Sequence, residues 1–479
     1  MITMATMNLT GWKTTMTNGD QEEKKIAKSI SEQCTLLTDG DTGFMYRLSE
    51  GVYKRLTQNQ IDYYIISTYT DNKLYYNRGK KNTTLDFLKE LTFINSREIE
   101  ESTKGSINLI NGVYFFDKVK GLIIVDFLGN RVESTTNGDV KKTMVNFKYH
   151  PLQRYYSFNQ IPVNYNKDAE CPAFDKFLGE VFGEENKQAI YEFIGYILMP
   201  TVIYQRALIL VGSGKNGKTT FLDALIRFLG KANISKIPLQ YLEGKFALFN
   251  LKNKLANIVS DLPSKELKDT GNAKSIVTDD TLSSNIKNVQ GNFVFKNITK
   301  MLYSCNTLPR TKDKSSAFYR RWRMFICNAV FEDNKDVNIL DKITTPEELS
   351  GLLNKALLGI ERLKENKGFP DTELEVKNMW DIESNPIAEF INIRCIRDDS
   401  EELRSKDLFE AFNEYRANKK LPILHPKSIG YWIRQCGIIG KQKKDDFDNW
   451  FTYYQGIKLR VKETKHIGIH KILAMQEDA

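Results

Sequence analysis

The chain has 479 residues, 41% of them hydrophobic and 27% charged. That length leaves room for about two to four domains, and the composition excludes collagen-like, low-complexity and disulfide-scaffold proteins. The formal net charge of +9 points weakly to a polyanionic partner, and the longest apolar runs, residues 193–199 and 207–211, are too short to cross a membrane.

Residues 1–20 are polar and Thr-rich and lack the apolar centre of a secretory signal, so they are expected to be a disordered lead-in. Residues 21–105 read as a helix-rich, mixed α+β N-terminal region, with helices over 22–34 and 84–91 and a Gly/Tyr-punctuated hairpin over 43–54. The next region, 106–190, precedes the α/β segment described below. Its first part is β-rich, because INGVYFF and GLIIVDF are broken by Gly and Asn. From Cys171 to Met199 the pattern turns helical, with Phe174, Phe177, Leu178, Val181 and Phe182 on one face. Residues 191–365 form an α/β segment closed by a helix carrying Leu349, Leu352, Leu353, Ala356, Leu357, Ile360 and Leu363. Residues 364–376 resemble a linker, and 366–479 form a small mixed domain.

Cys34, Cys171, Cys305, Cys327, Cys395 and Cys436 are scattered singly, with no CxxC pair. This argues against a zinc site or a disulfide framework and for a reducing, cytoplasmic setting.

The stretch RALILVGSGKNGKTTFLDALIRFLG carries the most chemistry. A buried strand runs into Gly212, Ser213, Gly214, Lys215, Asn216, Gly217, Lys218 and Thr219, followed by Thr220 and a helix that stops at Gly230. This is G-x-x-x-x-G-K-[ST] in the strand–loop–helix setting its chemistry requires. Glycines turn backbone N–H groups inward around phosphate oxygens, and the helix N-terminus adds its positive end. Lys218 is expected to neutralise the β and γ phosphates of ATP, and Thr219 to ligate Mg²⁺.

Downstream, NKLANIVSDLP is a strand ending at Asp261, the place for a metal-binding or water-activating carboxylate. KNITKMLYSCNTLPR is a strand ending at Asn306, whose amide can hold an attacking water. Arg320 and Arg321, in FYRRW, are candidates to stabilise transition-state charge in a neighbour's site. Between Thr281 and Phe325 nine Lys or Arg stand against one acid, Asp313, a net of +8 and nearly the whole excess of the chain.

In their order and spacing these residues resemble the superfamily 3 helicases, in particular the helicase part of the phage/plasmid primase-helicase family. The matching stretches are Asn111-Gly-Val-Tyr, AECPAFDKFL, GYILMP, the P-loop, NKLANIVSDLP, KSIVTDD from Lys274, CNTLPR and FYRRW, covering roughly residues 100–340. The resemblance implies an AAA+ P-loop ATPase core, a homo-hexameric ring with ATP sites between subunits, and 3′-to-5′ movement on single-stranded DNA. It also implies a channel hairpin gripping phosphate, matched here by residues 286–293 with Lys287 as the contact, and Lys274 as a second DNA residue. The sequence departs from the family where paired acids are usual and Ser260-Asp261 stands, leaving either Asp261 to do both jobs or Asp280 or Glu266 to supplement it. The family's Gly-Asp reads Asp279-Asp280.

The last domain has winged-helix character: a helix at 406–415, a second helix at 428–434 led by Lys427, a basic turn GKQKK and a strand at 453–460. Lys427, Arg434, Lys441, Lys443 and Lys444 would meet DNA phosphates, the alternative being a subunit-packing domain with an ordinary solvated surface. The expected function is an ATP-dependent replicative DNA helicase acting on single-stranded and forked DNA, with a primase or polymerase as partner and no membrane contact. The alternatives are a nucleotide-switched origin-binding initiator and a protein-remodelling AAA+ ATPase.

Overall fold

A computed structural model describes residues 20–460 apart from 104, 116–121, 126–131, 137–138, 142–154, 213, 264, 287–288, 328, 330, 332–335, 385, 419–420, 422 and 445–449. The expected lead-in, Ser213 and Lys287 lie outside the described residues.

The N-terminal module contains α1 (Gln21–Gln33), β1 (Leu36–Asp39), β2 (Met45–Ser49), β3 (Val52–Arg55), α2 (Gln58–Asp71), α3 (Arg78–Leu91), β4 (Phe93–Ile94) and α4 (Ser96–Thr103). Helix α1 buries Ile26, Ala27 and Ile30 on one face, and Thr57 opens α2 with a reciprocal capping box to Gln60. The hairpin expected over 43–54 is β2–β3. It belongs to a four-stranded sheet in the order β3-β2-β1-β4, so the region holds more sheet than its helical pattern suggests. A five-stranded antiparallel meander follows, made of β5 (Ser106–Leu109), β6 (Gly112–Phe115), β7 (Leu122–Val125), β8 (Val132–Thr136) and β9 (Asp139–Lys141).

The central unit begins with α5 (Pro172–Phe182) and α6 (Lys187–Leu198). It continues through β10 (Ala207–Val211), α7 (Lys218–Leu229), β11 (Ile234–Ser235), β12 (Ala256–Val259), α8 (Gly271–Val277), β13 (Thr281–Ile286), β14 (Val289–Lys296), β15 (Lys300–Cys305), α9 (Ser316–Tyr319), β16 (Trp322–Ile326), α10 (Ile339–Lys342) and α11 (Pro346–Glu365). Five strands form an all-parallel sheet in the order β11-β12-β15-β10-β16, while β13 and β14 pair off as a separate hairpin.

Strand alternation divides the core in two. Leu208, Leu210, Ile258, Leu302 and Phe325 face α5, α6, α7 and α11. Ala207, Ile209, Val211, Met301, Tyr303, Trp322 and Met324 face the other way, and there they meet α12 (Glu373–Ser384) through Val376 and Trp380. The linker expected over 364–376 therefore ends in a helix that belongs to the central unit's second core.

The C-terminal module comprises α13 (Pro386–Arg394), β17 (Cys395–Arg404), α14 (Ser405–Asn418), α15 (Pro426–Gln435), β18 (Gly440–Lys444) and β19 (Trp450–Leu459), with an antiparallel sheet in the order β17-β19-β18. GKQKK, expected as a turn, is the strand β18. Among the described residues no helix is long and apolar enough to cross a membrane.

Candidate nucleotide site

In a parallel sheet all strands end at one edge, and open α/β sheets bind ligands outside the carboxyl ends where connections diverge. Strand β10 connects leftward to β11 and β15 connects rightward to β16, so the divergence falls at the ends of β10 and β15. Register fixes what meets there. Val211 pairs with Cys305 and with Ile326, and Val259 pairs with Tyr303. Gly212, Ser260-Asp261 and Asn306 thus emerge at one edge, with the Asn306 strand lying between the other two. A hydrogen bond from Leu262 N to Ser304 O at 2.8 Å ties the Asp261 turn to β15.

The loop itself is built by backbone geometry. Gly217 has φ +80 and caps α7, and a Cβ there would stand 2.5 Å from Val181. A Cβ on Gly212 would stand 2.5 Å from the Cys327 carbonyl, so both positions demand glycine. Asn216 is buried; its Nδ2 donates to Cys327 O at 2.9 Å, fastening the loop to the end of β16. Phe331 N bonds Lys215 O at 3.0 Å from the other side.

The Lys218 ammonium is held inside the loop, donating to Gly212 O and to Asn216 Oδ1, both at 2.8 Å. Burial lowers its pKa below the ordinary lysine value. Burial also pushes the Cys327 thiol up to about 12, so it stays protonated beside the loop. Thr219, Asp261 and Asn306 are exposed, and Thr220 is half-buried.

Arg320 and Arg321 lie at the opposite edge. Ala207 N, at the start of β10, donates to Arg321 O at 2.7 Å. Because β10 has five residues, the two edges are about 15 Å apart at roughly 3.3 Å per residue. The two arginines differ. Arg321 is half-buried, its side chain donates to Ala317 O, and burial and the neighbouring Arg320 lower its pKa. Arg320 is exposed. Asp280, a candidate to supplement Asp261, acts electrostatically on Arg321 and accepts from Thr278 Oγ1 at 2.5 Å. It therefore sits with the arginine edge and not with the P-loop.

The basic run does not form one solvated face. Lys300 is fully buried, donating to Met199 O and to Ile298 O, and burial drives its pKa well below the ordinary value. Lys296 pairs with Asp279 at 3.3 Å. Lys274, expected on DNA, is ion-paired to Asp313 at 2.8 Å within the same chain. Arg310 lies over the Tyr431 and Trp432 rings of α15, at 4.2 and 4.0 Å from their centroids.

Sequence reasoning missed two groups near Asn306. One is Arg310 with its two aromatic partners. The other is Trp380, whose Nε1 donates to Pro309 O at 3.0 Å. A Val376–Trp380 spacing of four residues was the available signal.

In the C-terminal module Arg434 is exposed on α15, while the Lys427 side chain lies outside the described residues. Lys443 pairs with Glu402 of β17 and Lys441 donates to Gln455 at 2.5 Å, so the strand expected as a basic wing is flanked by acidic and amide partners.

A family of unknown function, DUF5906, matches residues 210–321, from the end of β10 to Arg321. Among solved structures, the A form apo structure of the NrS-1 C terminal region is similar at 12% identity, covering 90% of this chain and 99% of that one with a TM-score of 0.45. The apo structure of the NrS-1 C terminal region is similar at 13% identity, covering 91% and 100% with a TM-score of 0.43. No curated protein matches the sequence.

Proposed function

We propose that this chain is an ATP- and Mg²⁺-dependent replicative DNA helicase of a phage, plasmid or related mobile element, acting as a ring of identical subunits. An AAA+ core and a winged-helix-like C-terminal domain are part of that reading. The observation that carries it is the convergence of Lys218, Asp261 and Asn306 at one sheet edge, with the asparagine strand between the other two.

Each residue then has a task. The backbone N–H groups of the loop and Lys218 hold the phosphates. The Thr219 hydroxyl and the Asp261 carboxylate are hard oxygen donors beside Lys218, which suits magnesium. Among the described residues no group of three His, Cys, Asp or Glu could hold a metal unaided. The ion would therefore be shared with phosphate oxygens, as magnesium prefers, and would neutralise charge there. Asn306 orients the attacking water, and Asp261, with exposed Glu266 on the same side of the sheet, accepts its proton. Arg320 stands about 15 Å from its own loop at the strand rise used above, so it serves a neighbour's site. That requirement supports a ring. The β13–β14 hairpin is the segment to grip single-stranded DNA, and the sequence resemblance supplies hexamer number and 3′-to-5′ polarity.

One observation favours a second reading, a nucleotide-switched origin-binding initiator. The position of the usual second acid is Ser260, whose carbonyl accepts from Ser304 Oγ at 2.5 Å. The test is ATP hydrolysis with and without single-stranded DNA, alongside strand separation of a forked duplex, in the native chain and in Lys218→Ala. Hydrolysis stimulated by DNA, unwinding, and loss of both in Lys218→Ala are expected. Nucleotide-dependent DNA binding without unwinding would favour the initiator. Hydrolysis indifferent to DNA would overturn the helicase and leave a protein-remodelling ATPase.

A further inference from the structure

The sheet of the C-terminal module has one face packed and one face open. In the order β17-β19-β18 the middle strand is β19, and its Tyr454 is buried in the module's core with Leu403 of β17. Alternation turns Phe451, Tyr453 and Gln455 the other way. Neither Phe451 nor Tyr453 belongs to that core, and both are half-buried at the surface. A water-facing sheet face is ordinarily polar. Two neighbouring rings on its central strand depart from that rule.

Register sets a cation beside each ring. Tyr453 stands directly opposite Arg404 on β17 and Lys441 on β18, and Phe451 stands opposite Lys443. Residues paired across strands share a face. Arg404 lies over the Phe451 ring, 4.5 Å from its centroid, and Lys443 Nζ lies over Tyr453 at 4.7 Å. The acid in this array is Glu402, opposite Gln455 and paired with Lys443. Three cations against one carboxylate leave the face positive.

The rings are also spaced for separated bases. Their centroids are 6.4 Å apart and their planes are inclined at 56°. Bases stacked in a strand rise by roughly 3.4 Å, so neighbouring bases can lie on both rings only after parting from each other. A duplex keeps its bases stacked and inside, whereas a single strand gives them up. An exposed cation–ring contact is weaker than a base stack, so an arriving base displaces Lys443 or Arg404 towards the phosphates. Other partners fit only half of the surface. An acidic protein would match the cations and leave the rings bare, and an apolar one would strand the cations.

We propose that the open face of the C-terminal sheet is a stacking platform for single-stranded DNA. Phe451 and Tyr453 each take a base, and Arg404, Lys441 and Lys443 take the phosphates. The choice of DNA over RNA rests on the replicative reading above; the stacking does not.

The test is fluorescence anisotropy of the full chain, without nucleotide, on a labelled oligothymidylate of about ten nucleotides. The comparison probes are an abasic strand of equal length, which has the phosphates without the bases, and a dA·dT duplex. The native chain should bind oligothymidylate about 100-fold more tightly than the abasic strand, at roughly tenfold per stacked base. Phe451→Ala/Tyr453→Ala should lose that advantage, and Phe451→Tyr/Tyr453→Phe, which keeps both rings, should retain it. The melting transition of the C-terminal module checks that the alanine variant is folded, and the abasic comparison needs no variant at all. Equal binding of oligothymidylate and the abasic strand would overturn the proposal, because a grip on phosphate elsewhere in the chain would then suffice. A preference for the duplex, or undiminished binding by the folded alanine variant, would overturn it too. Oligouridylate bound more tightly than oligothymidylate would overturn the assignment to DNA. Ring-dependent binding beside absent hydrolysis and unwinding would uphold the platform and sink the helicase.

Discussion

Replacing Trp380 tests whether α12 is part of the central unit. The side chain is fully buried, with ring centroids 4.9 Å from Phe318 and 5.5 Å from Trp322, and its indole N–H holds the Pro309 carbonyl at 3.0 Å. Truncating a core tryptophan to alanine costs about 3–5 kcal/mol. Stranding the Pro309 carbonyl adds roughly 1 kcal/mol, for a total near 4–6 kcal/mol. Trp380→Phe keeps a ring in the aromatic box and loses the hydrogen bond and some contact, so about 1–2 kcal/mol is expected. At roughly 2–4 °C per kcal/mol for a unit of this size, the alanine variant should lower the central unit's melting transition by about 10–20 °C. The C-terminal module has its own core, centred on Phe390, Leu408 and Phe412. Calorimetry of the full chain should therefore show one transition moving and the other holding. A central-unit transition displaced by less than about 2 °C would refute the placement of α12, because that is below the cost of a single stranded hydrogen bond.

The two arginines separate into different roles. Arg320→Ala is expected to lower hydrolysis by about 10³-fold while sparing stability. Mixing it with Lys218→Ala subunits should restore part of the rate, since each supplies what the other lacks; no recovery would count against a shared site. Arg321→Ala is expected to act mainly on stability, read from the same calorimetry. Asp313 supplies the pH dependence. Burial would raise its carboxyl, but Lys274, Ser315 and Thr270 hold it well below the usual carboxylate range. Its folded value is depressed, so its contribution is complete above an unfolded value of about 4 and is lost as pH falls below that. Lys274→Met should therefore move acid unfolding, followed by circular dichroism, to higher pH. An unmoved acid transition with weakened DNA binding would instead return Lys274 to DNA.

The strand–loop–helix around residues 212–218 was legible because its geometry is local: glycines at 212 and 217 are demanded by backbone torsion and close approach, and the lysine follows at fixed spacing. Amphipathic helices such as α5 and α11 were legible for the same reason, since their periodicity is written within ten to twenty residues. The basic run was not. Whether Lys300, Arg310 or Lys296 meets solvent depends on Met199, on Tyr431 and Trp432, and on Asp279, and for the first two residues these partners lie far away in the chain. The linker failed similarly: Gly368 and Pro370 mark a break, but the destination of Trp380 is set by Phe318 and Trp322 across the sheet. Strand β17 was missed because its alternation is carried by DDSEE, charged on both faces, with only Cys395 and Leu403 buried.

Five residues run from Asn306 to Arg310, and the far end of that stretch is gripped twice, by Trp380 at Pro309 and by the Tyr431–Trp432 pair at Arg310. Proline fixes one torsion inside it. So short a strut has little slack. In the proposed helicase, a shift of Asn306 by an ångström or so, of the kind that accompanies gain or loss of a γ-phosphate, would arrive at α15 as a push, and tension on α15 would arrive back at the Asn306 amide. The C-terminal module would then be a pawl on the proposed cycle, and load applied to it would set the pace of turnover.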